Sequence, residues 1–189
     1  MPRLFVAIDF APELKQRLAS LCRGLRVRWV ATGNFHLTLR FIGQVDDSTA
    51  ARIAEALARI RAPPFRLTLA GAGEFGGRNL WLGVEDNPAL ARLQSAIETE
   101  LQRIGLPADP RPYQPHVGLA RSSSRRGFRR FLDKHAAFRE EPFEVKTFSL
   151  IESVLRETGA VYEHRADYLL LPDEQAVAAL EGTGLTMSA

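Results

Sequence analysis

The sequence predicts a mixed fold of strands and helices in which two similar lobes face each other across a groove. Segments with a period of two residues alternate along the chain with segments of helical period. The runs HLTL at 36–39 and HVGL at 116–119 each open a strand with a histidine, and the histidines are 80 residues apart. This spacing is too long for a solenoid repeat and suits a duplicated lobe. The length of 189 residues and the 46% hydrophobic composition suit one globular domain.

The first part of the chain is predicted to contain two strands and two helices in alternation. Gly43 closes the second strand. Asp46 supplies a capping carboxylate for the second helix, and Pro63 ends it. The predicted elements are a strand at 3–10, a helix from Pro12 to about Arg26, a strand at 35–43 and a helix over 49–62.

The remainder is predicted to repeat this alternation and to end in a tail. The predicted elements are strands at 65–70 and 79–84 around a glycine-rich loop at 71–77, a helix over about 88–104, a strand at 116–120, a helix within 125–138, and strands near 143–152 and 161–170. The domain is expected to occupy residues 1–172. The tail at 173–189 carries few packing signals and is expected to fray.

The strand at 35–43 carries polar chemistry on one face. By its period of two, His36, Thr38 and Arg40 share a face, and Phe41 lies on the opposite, core-facing side. An imidazole beside a hydroxyl can hold a phosphate oxygen and move a proton, and a facing His116 would supply a second proton carrier. Each such acid or base contributes on the order of 10²- to 10⁴-fold to a rate. The alternative for a single strand histidine is a hydrogen-bonded residue at a groove edge.

The amino-acid composition limits which cofactors, partners and cellular compartment are expected for this protein. Of the 25 basic residues, 22 are arginine, a good match to phosphate oxygens, although codon bias explains such a composition equally well. Clusters of Asp, Glu or Cys at ligand spacing are missing, so no metal or other cofactor is expected. The single Cys22 excludes an internal disulfide, and no apolar run is long enough to cross a bilayer. We expect a cytoplasmic monomer that needs no membrane and no obligate protein partner.

Two segments of the chain resemble a known motif pair. VRWVATGNFHLTLRFIGQV at 27–45 and YQPHVGLAR at 113–121 are similar to the H-x-T-x motifs of the two-histidine (2H) phosphoesterases, in particular the RNA 2',3'-cyclic phosphodiesterases, a family also described as 2'-5' RNA ligases. LFVAIDF near the start, LWLGV at 80–84 and the run at 148–164 extend the resemblance. It implies a bilobal α+β fold, with two antiparallel sheets around a central groove and helices outside.

The resemblance also implies an activity and residue roles. The expected reaction is metal-independent hydrolysis of a 2',3'-cyclic phosphate at an RNA 3' end, or in a cyclic nucleotide, to a 2'-phosphomonoester. On the family's pattern His36 would be the proton donor to the departing O3', His116 the proton acceptor that activates water, and Thr38 a phosphate ligand. The chain departs from the pattern at Gly118, where the family usually has Thr or Ser.

Further groups are candidates for substrate contacts. Arg40 and Arg121 are expected either to contact phosphate or to be solvated arginines at strand ends, and Phe75 is a candidate for stacking on the terminal base. His135 and His164 lack the motif context and are expected to be structural. The arginines expected either to contact an RNA backbone or to form a solvated helix face are Arg125, Arg126, Arg129 and Arg130.

Two alternatives to hydrolysis stay open at this level. The same site could join a cyclic phosphate end to a 5'-hydroxyl, as a 2'-5' RNA ligase. A non-catalytic module that binds RNA ends is the other interpretation, with Gly118 marking lost catalysis. Binding alone would not need two proton carriers, so the two histidines favour an enzyme.

Overall fold

A computed structural model describes residues 1–122, 128–157 and 159–171. Within these residues the strands pair only in antiparallel fashion, which confirms the predicted α+β class. The strands are β1 (Arg3–Asp9), β2 (Arg28–Trp29), β3 (His36–Gln44), β4 (Phe65–Leu67), β5 (Leu69–Phe75), β6 (Asn79–Val84), β7 (His116–Arg121), β8 (Phe143–Val145), β9 (Thr147–Arg156) and β10 (Gly159–Leu169). The α-helices are α1 (Pro12–Leu21), α2 (Asp47–Ala58), α3 (Pro88–Arg103) and α4 (Arg129–His135). The tail at 173–189 lies outside the described residues.

The two candidate histidines lie on different sheets. One sheet has the strand order β10–β9–β1–β3 and carries His36 at the start of its edge strand. The other has the order β2–β7–β6–β5 and carries His116 at the start of β7. A separate two-stranded sheet pairs β4 with β8. The strands that carry the histidines, β3 and β7, approach each other directly.

One hydrophobic cluster joins helices and both sheets. Leu37 from β3 and Val117 from β7 belong to the same cluster as Leu18 from α1, Ile53 from α2 and Ile97 from α3, and all five side chains are fully buried. Burying an aliphatic side chain of this size stabilises the fold by about 1.5–3 kcal/mol. The shared core therefore fixes the position of one histidine strand relative to the other.

The start of α2 follows the predicted capping chemistry, but α2 ends at Ala58, before the predicted end at Pro63, and α1 also ends early. The Asp46 carboxylate accepts hydrogen bonds from the Thr49 backbone N–H and the Ser48 hydroxyl, each at 2.7 Å, and these bonds lower the pKa of Asp46 to about 2. Helix α1 ends at Leu21, earlier than the predicted end, because Cys22 leaves the helical region with a ψ of 66°, and Gly24 then follows with a φ of +83°. The short strand β2, which the sequence pattern did not predict, follows this turn.

The prediction of a loop at 71–77 is wrong for most of that segment. Strand β5 continues to Phe75, and only the following residues form the turn to β6. Gly71 has a φ of +70° beside a register shift, so it forms a bulge within the strand. Gly73 faces the indole of Trp81, and a Cβ at this position would lie 2.2 Å from that ring. These glycines make room for a bulge and a ring inside a sheet, which composition alone cannot distinguish from a loop.

Candidate active site

A groove with a volume of about 570 Å³ holds both histidine motifs. His36 and Thr38 from β3 line it together with His116 and Gly118 from β7. The volume is within the range of about 300–1,000 Å³ that is usual for ligand sites. The structure therefore brings together the four motif residues that the sequence predicted to share a groove.

A β-bulge interrupts the alternation of β3 just after the first motif. Thr38 pairs with Ala7 and Arg40 pairs with Val6, so Leu39 is an extra residue without a partner on β1. Leu39 turns into the core, where it is almost completely buried. Such a bulge adds one residue to one strand and here reverses the faces of Arg40 and Phe41, up to a second register shift at Ile42.

The bulge corrects two predictions at once. Arg40, expected on the His36 face, is buried behind the groove wall, where its guanidinium forms ion pairs with Glu98 at 2.8 Å and Asp109 at 3.5 Å. Phe41, expected in the core, is 40% exposed and lines the groove. Arg40 thus fastens helix α3 and the loop after it to β3, and it is not placed to contact a substrate.

Strand β7 carries a bulge at the equivalent position. Its register against β6 skips one residue between Gly118 and Ala120, and Leu119 is the extra, fully buried residue. Here too the reversal brings the fifth residue after the histidine to the groove, and that residue is Arg121. The predicted phosphate contact at Arg121 is therefore geometrically open, unlike the one at Arg40.

The imidazole of His36 is held in one tautomer. Its Nδ1 lies 2.7 Å from the carbonyl oxygen of Asn34. Because a carbonyl only accepts, Nδ1 carries the proton, and Nε2 of the neutral ring keeps a lone pair. The hydroxyl of Thr38 lies 3.0 Å from this Nε2. The rings of Phe5 and Tyr162 flank the imidazole, with centroids 4.9 Å and 5.2 Å away.

Burial lowers the pKa of His36 below its ordinary value. The hydrogen bond to the Asn34 carbonyl and the nearby Asp9 carboxylate oppose this effect, whereas the positive charges of Lys15 and of protonated His116 add to it. Both rings line the same groove, so a positive charge on one disfavours protonation of the other. An anion in the groove would act in the opposite direction and would favour the protonated form of His36.

His116 repeats the arrangement of His36. Its Nδ1 donates to the carbonyl oxygen of Gln114 at 2.8 Å, again two residues earlier, and its Nε2 is left available. The ring of Phe75 contacts it edge-on at 4.9 Å, and Trp81 lies 6.3 Å away. Each histidine thus lies between aromatic rings and has its tautomer fixed by the backbone carbonyl two residues before it, just ahead of its strand.

The position of Gly118 is open. The residue is exposed in the groove wall, and a Cβ built on it would have no heavy atom within 4 Å. Its offset from His116 equals that of Thr38 from His36, yet glycine supplies no hydroxyl at this position. Steric crowding therefore does not explain the glycine, and a side chain would be accommodated.

Several groove residues were not expected from the sequence pattern. Arg3 lies over the ring of Phe41, with its guanidinium carbon 5.1 Å from the centroid, and Arg111 lines the groove while it forms an ion pair with Asp109. Tyr162 also lines the groove. The sequence pattern predicted a strand at this position but gave no sign that the strand would reach the groove. The candidate Phe75 does line the groove, where it contacts His116.

The other predicted polar residues lie elsewhere. His164 contacts the carboxylates of Asp9 and Asp167, and His135 packs on Phe131 with centroids 4.3 Å apart. Neither histidine lines the groove. Arg129 and Arg130 are exposed on α4 and do not line the groove, whereas Arg125 and Arg126 lie outside the described residues.

The described part of the chain contains neither a metal-ligand cluster nor a membrane-spanning helix. No group of three or more His, Cys, Asp or Glu side chains is arranged there to hold a metal ion. None of the helices in that part has the length and apolar character needed to cross a membrane.

Comparison with known proteins gives a consistent result. The family described as the 2'-5' RNA ligase superfamily matches residues 8–157. An RNA 2',3'-cyclic phosphodiesterase from Thermotoga maritima is 33% identical over 178 residues, which cover 85% of this chain and 91% of the relative. One from Escherichia coli is 35% identical over 128 residues, covering 65% and 73%. The crystal structure of E. coli LigT with 3'-AMP superposes with a TM-score of 0.74 at 30% identity, covering 90% of this chain and 99% of LigT.

Proposed function

Because the chain belongs to the 2'-5' RNA ligase superfamily, we propose that its groove hydrolyses 2',3'-cyclic phosphates at RNA 3' ends to 2'-phosphomonoesters. The observation that carries this proposal is the pair of imidazoles that line one groove, each with Nδ1 bonded to a backbone carbonyl, so that Nε2 is the nitrogen for proton transfer; in His36 this nitrogen lies next to the Thr38 hydroxyl. The names of the relatives point to the same substrate class.

The reaction is a displacement at phosphorus. His116 accepts a proton from a water molecule through Nε2 as the water oxygen attacks the phosphorus. The bond from phosphorus to O3' breaks, and protonated His36 donates its Nε2 proton to the departing oxygen. The phosphate stays on O2'. No metal takes part in these steps, and the second proton transfer leaves His36 neutral and His116 protonated.

Thr38 and Arg121 complete the proposed phosphate site. The Thr38 hydroxyl, next to Nε2 of His36, is placed to donate to a nonbridging oxygen, and the Arg121 guanidinium supplies positive charge from the other strand. Phe41, Phe75 and Tyr162 offer apolar faces to the terminal nucleoside. We place the activity in the cytoplasm, where RNA ends of this kind are accessible to it.

The test is turnover of 2',3'-cyclic AMP and of a short RNA with a cyclic phosphate end, in EDTA, with separation of 2'- from 3'-phosphate products. We expect a 2'-phosphate from the wild type, and a loss of at least about 10²-fold in His36→Ala and in His116→Ala. His135→Ala is the matched control, because it removes an imidazole outside the groove. Absence of wild-type turnover despite RNA-end binding would refute the proposal in favour of a binding module, and joining of an added 5'-hydroxyl RNA would reveal ligation.

A further inference from the structure

Two arginines face each other at the end of the groove. Arg28 on β2 and Arg121 on β7 are direct partners in the antiparallel ladder, and both are exposed. Directly opposite residues project from the same face with Cβ atoms about 4.5–5.5 Å apart, and like charges at such positions repel. An anion bound between the two guanidinium groups would remove that repulsion.

The arginines at this end of the molecule share the lack of a carboxylate partner. Some surface arginines elsewhere form ion pairs, as Arg17 does with Glu140 at 2.9 Å, whereas others, such as Arg92, have no such partner among the described residues. Among the described residues, no carboxylate forms an ion pair with Arg26, Arg28 or Arg121. Arg28 and Arg121 therefore place two positive charges side by side where β2 and β7 pair, and no carboxylate of the described residues forms an ion pair with either of them.

The arginine pair connects the groove to a second depression. Arg121 lines both the groove of the two histidines and a neighbouring depression formed by residues 25–29 and 121–122. Arg28 reaches the opposite sheet, where its Nη2 lies 3.4 Å from the Cβ position of Gly159, next to groove residue Ala160. Along β7 the distance from His116 to Arg121 is about 15 Å. A mononucleotide at the histidines leaves the depression empty, whereas a longer strand has further phosphates to place there.

The chemistry of the depression suits a phosphodiester backbone. Arginine presents a planar fork of donors that matches phosphate oxygens. The aromatic residue of the depression, Trp29, is half-buried and packs against Phe131 with ring centroids 6.0 Å apart, which limits the surface that it can offer to a base. We propose that single-stranded RNA upstream of the reacting end runs from the groove between Arg28 and Arg121 into this depression, and is held there through its phosphates without base selection. This inference rests on the proposed function and specifies its substrate as an oligonucleotide.

The experiment compares two substrates across a salt series. The wild type, Arg26→Gln, Arg28→Gln and the control Arg92→Gln are assayed with 2',3'-cyclic AMP and with a short cyclic-phosphate RNA. Arg92 is an exposed arginine on α3 and does not line the groove, so its variant removes the same charge elsewhere. Equilibrium binding of a fluorescent RNA with a 2'-phosphate end is measured in parallel, so that binding is read without turnover.

We expect Arg28→Gln to lower the ratio of kcat/KM on RNA to kcat/KM on cyclic AMP by about tenfold. The slope of log kcat/KM against log salt on RNA should become shallower by about 0.7 for each phosphate that the variant no longer neutralises. Arg92→Gln should keep both wild-type values. If Arg26→Gln and Arg28→Gln behave as Arg92→Gln in rate ratio, salt slope and RNA binding, the RNA path is refuted, while turnover of cyclic AMP still supports the proposed function. Arg28-dependent RNA binding by an inactive wild type would uphold the path and refute the hydrolase.

Discussion

Replacing Gly118 by threonine is expected to accelerate the enzyme. The substitution adds a hydroxyl at the same offset from His116 that Thr38 has from His36, where Oγ1 lies 3.0 Å from Nε2. The Cβ site has no heavy atom within 4 Å, and Gly118 is not among the glycines with positive φ, so the side chain enters without a clash or backbone strain. The groove would then present one hydroxyl beside each histidine.

The size of the gain follows from the charge of the substrate. A hydrogen bond to an ionised group contributes about 1.5–3 kcal/mol. If the new hydroxyl meets a phosphate oxygen whose charge grows in the transition state, kcat/KM rises roughly tenfold to a hundredfold. Thr38→Val, which removes the existing hydroxyl at nearly constant volume, should lower kcat/KM by a similar factor.

The assay is kcat/KM on 2',3'-cyclic AMP for the wild type, Gly118→Thr and Gly118→Val. Valine has the shape and β-branched character of threonine without the hydroxyl, so it reports what bulk alone does in the strand. We expect Gly118→Thr to exceed both other proteins. A threonine variant no faster than the valine variant would show that no phosphate oxygen approaches this position, and the placement of the substrate would have to be revised.

Three further outcomes are expected. Arg40→Met leaves Glu98 without its cation and should lower the free energy of unfolding in urea by about 3 kcal/mol. It should reduce kcat/KM less than Thr38→Val does, and a larger reduction would show that Arg40 contributes to substrate binding or catalysis. Burial lowers the pKa of His36 in the free enzyme, and bound phosphate opposes this effect. As pH rises, kcat/KM, which reports the free enzyme, should therefore fall at a lower pH than kcat, which reports the complex. Coinciding pH profiles would contradict the role of His36 as the acid. The folded-state pKa of Asp46 is lowered to about 2. The stabilisation by its carboxylate is therefore complete above about pH 4 and is lost as pH falls. The urea midpoints of the wild type and Asp46→Ala should converge toward pH 2, and a difference between them that stays constant with pH would show that the ionised cap is not its cause.

The sequence pattern predicted the groove face correctly as far as the third residue of each motif, and no further. His36 and Thr38, and likewise His116 and Gly118, alternate regularly, so period two placed them correctly on the groove face. The next residue in each strand is a leucine that forms a bulge, and an apolar residue suits either a regular or a bulged strand. For this reason the face of Arg40 was predicted wrongly.

Groups brought in by distant segments were equally hidden from local patterns. Tyr162 flanks His36 across more than a hundred residues of chain, and only the pairing of β1 with β9 and of β9 with β10 brings it there. The glycines of β5 illustrate the opposite mistake. Their small size makes room for the Trp81 ring within the sheet, whereas the sequence pattern was interpreted as a loop. Periodicity reports burial along one element, whereas these contacts depend on register between elements.

The backbone carbonyls behind the two imidazoles have a consequence for the direction of the chemistry. Asn34 and Gln114 hold both rings in the same tautomer, so each ring presents the same nitrogen to the phosphate and either can give or take a proton. By microscopic reversibility such a site catalyses a displacement and its reverse equally well. The product then depends on which oxygen nucleophile lies opposite the leaving group. Water opens the cyclic phosphate by hydrolysis, whereas the 5'-hydroxyl of a second strand forms a new phosphodiester linkage.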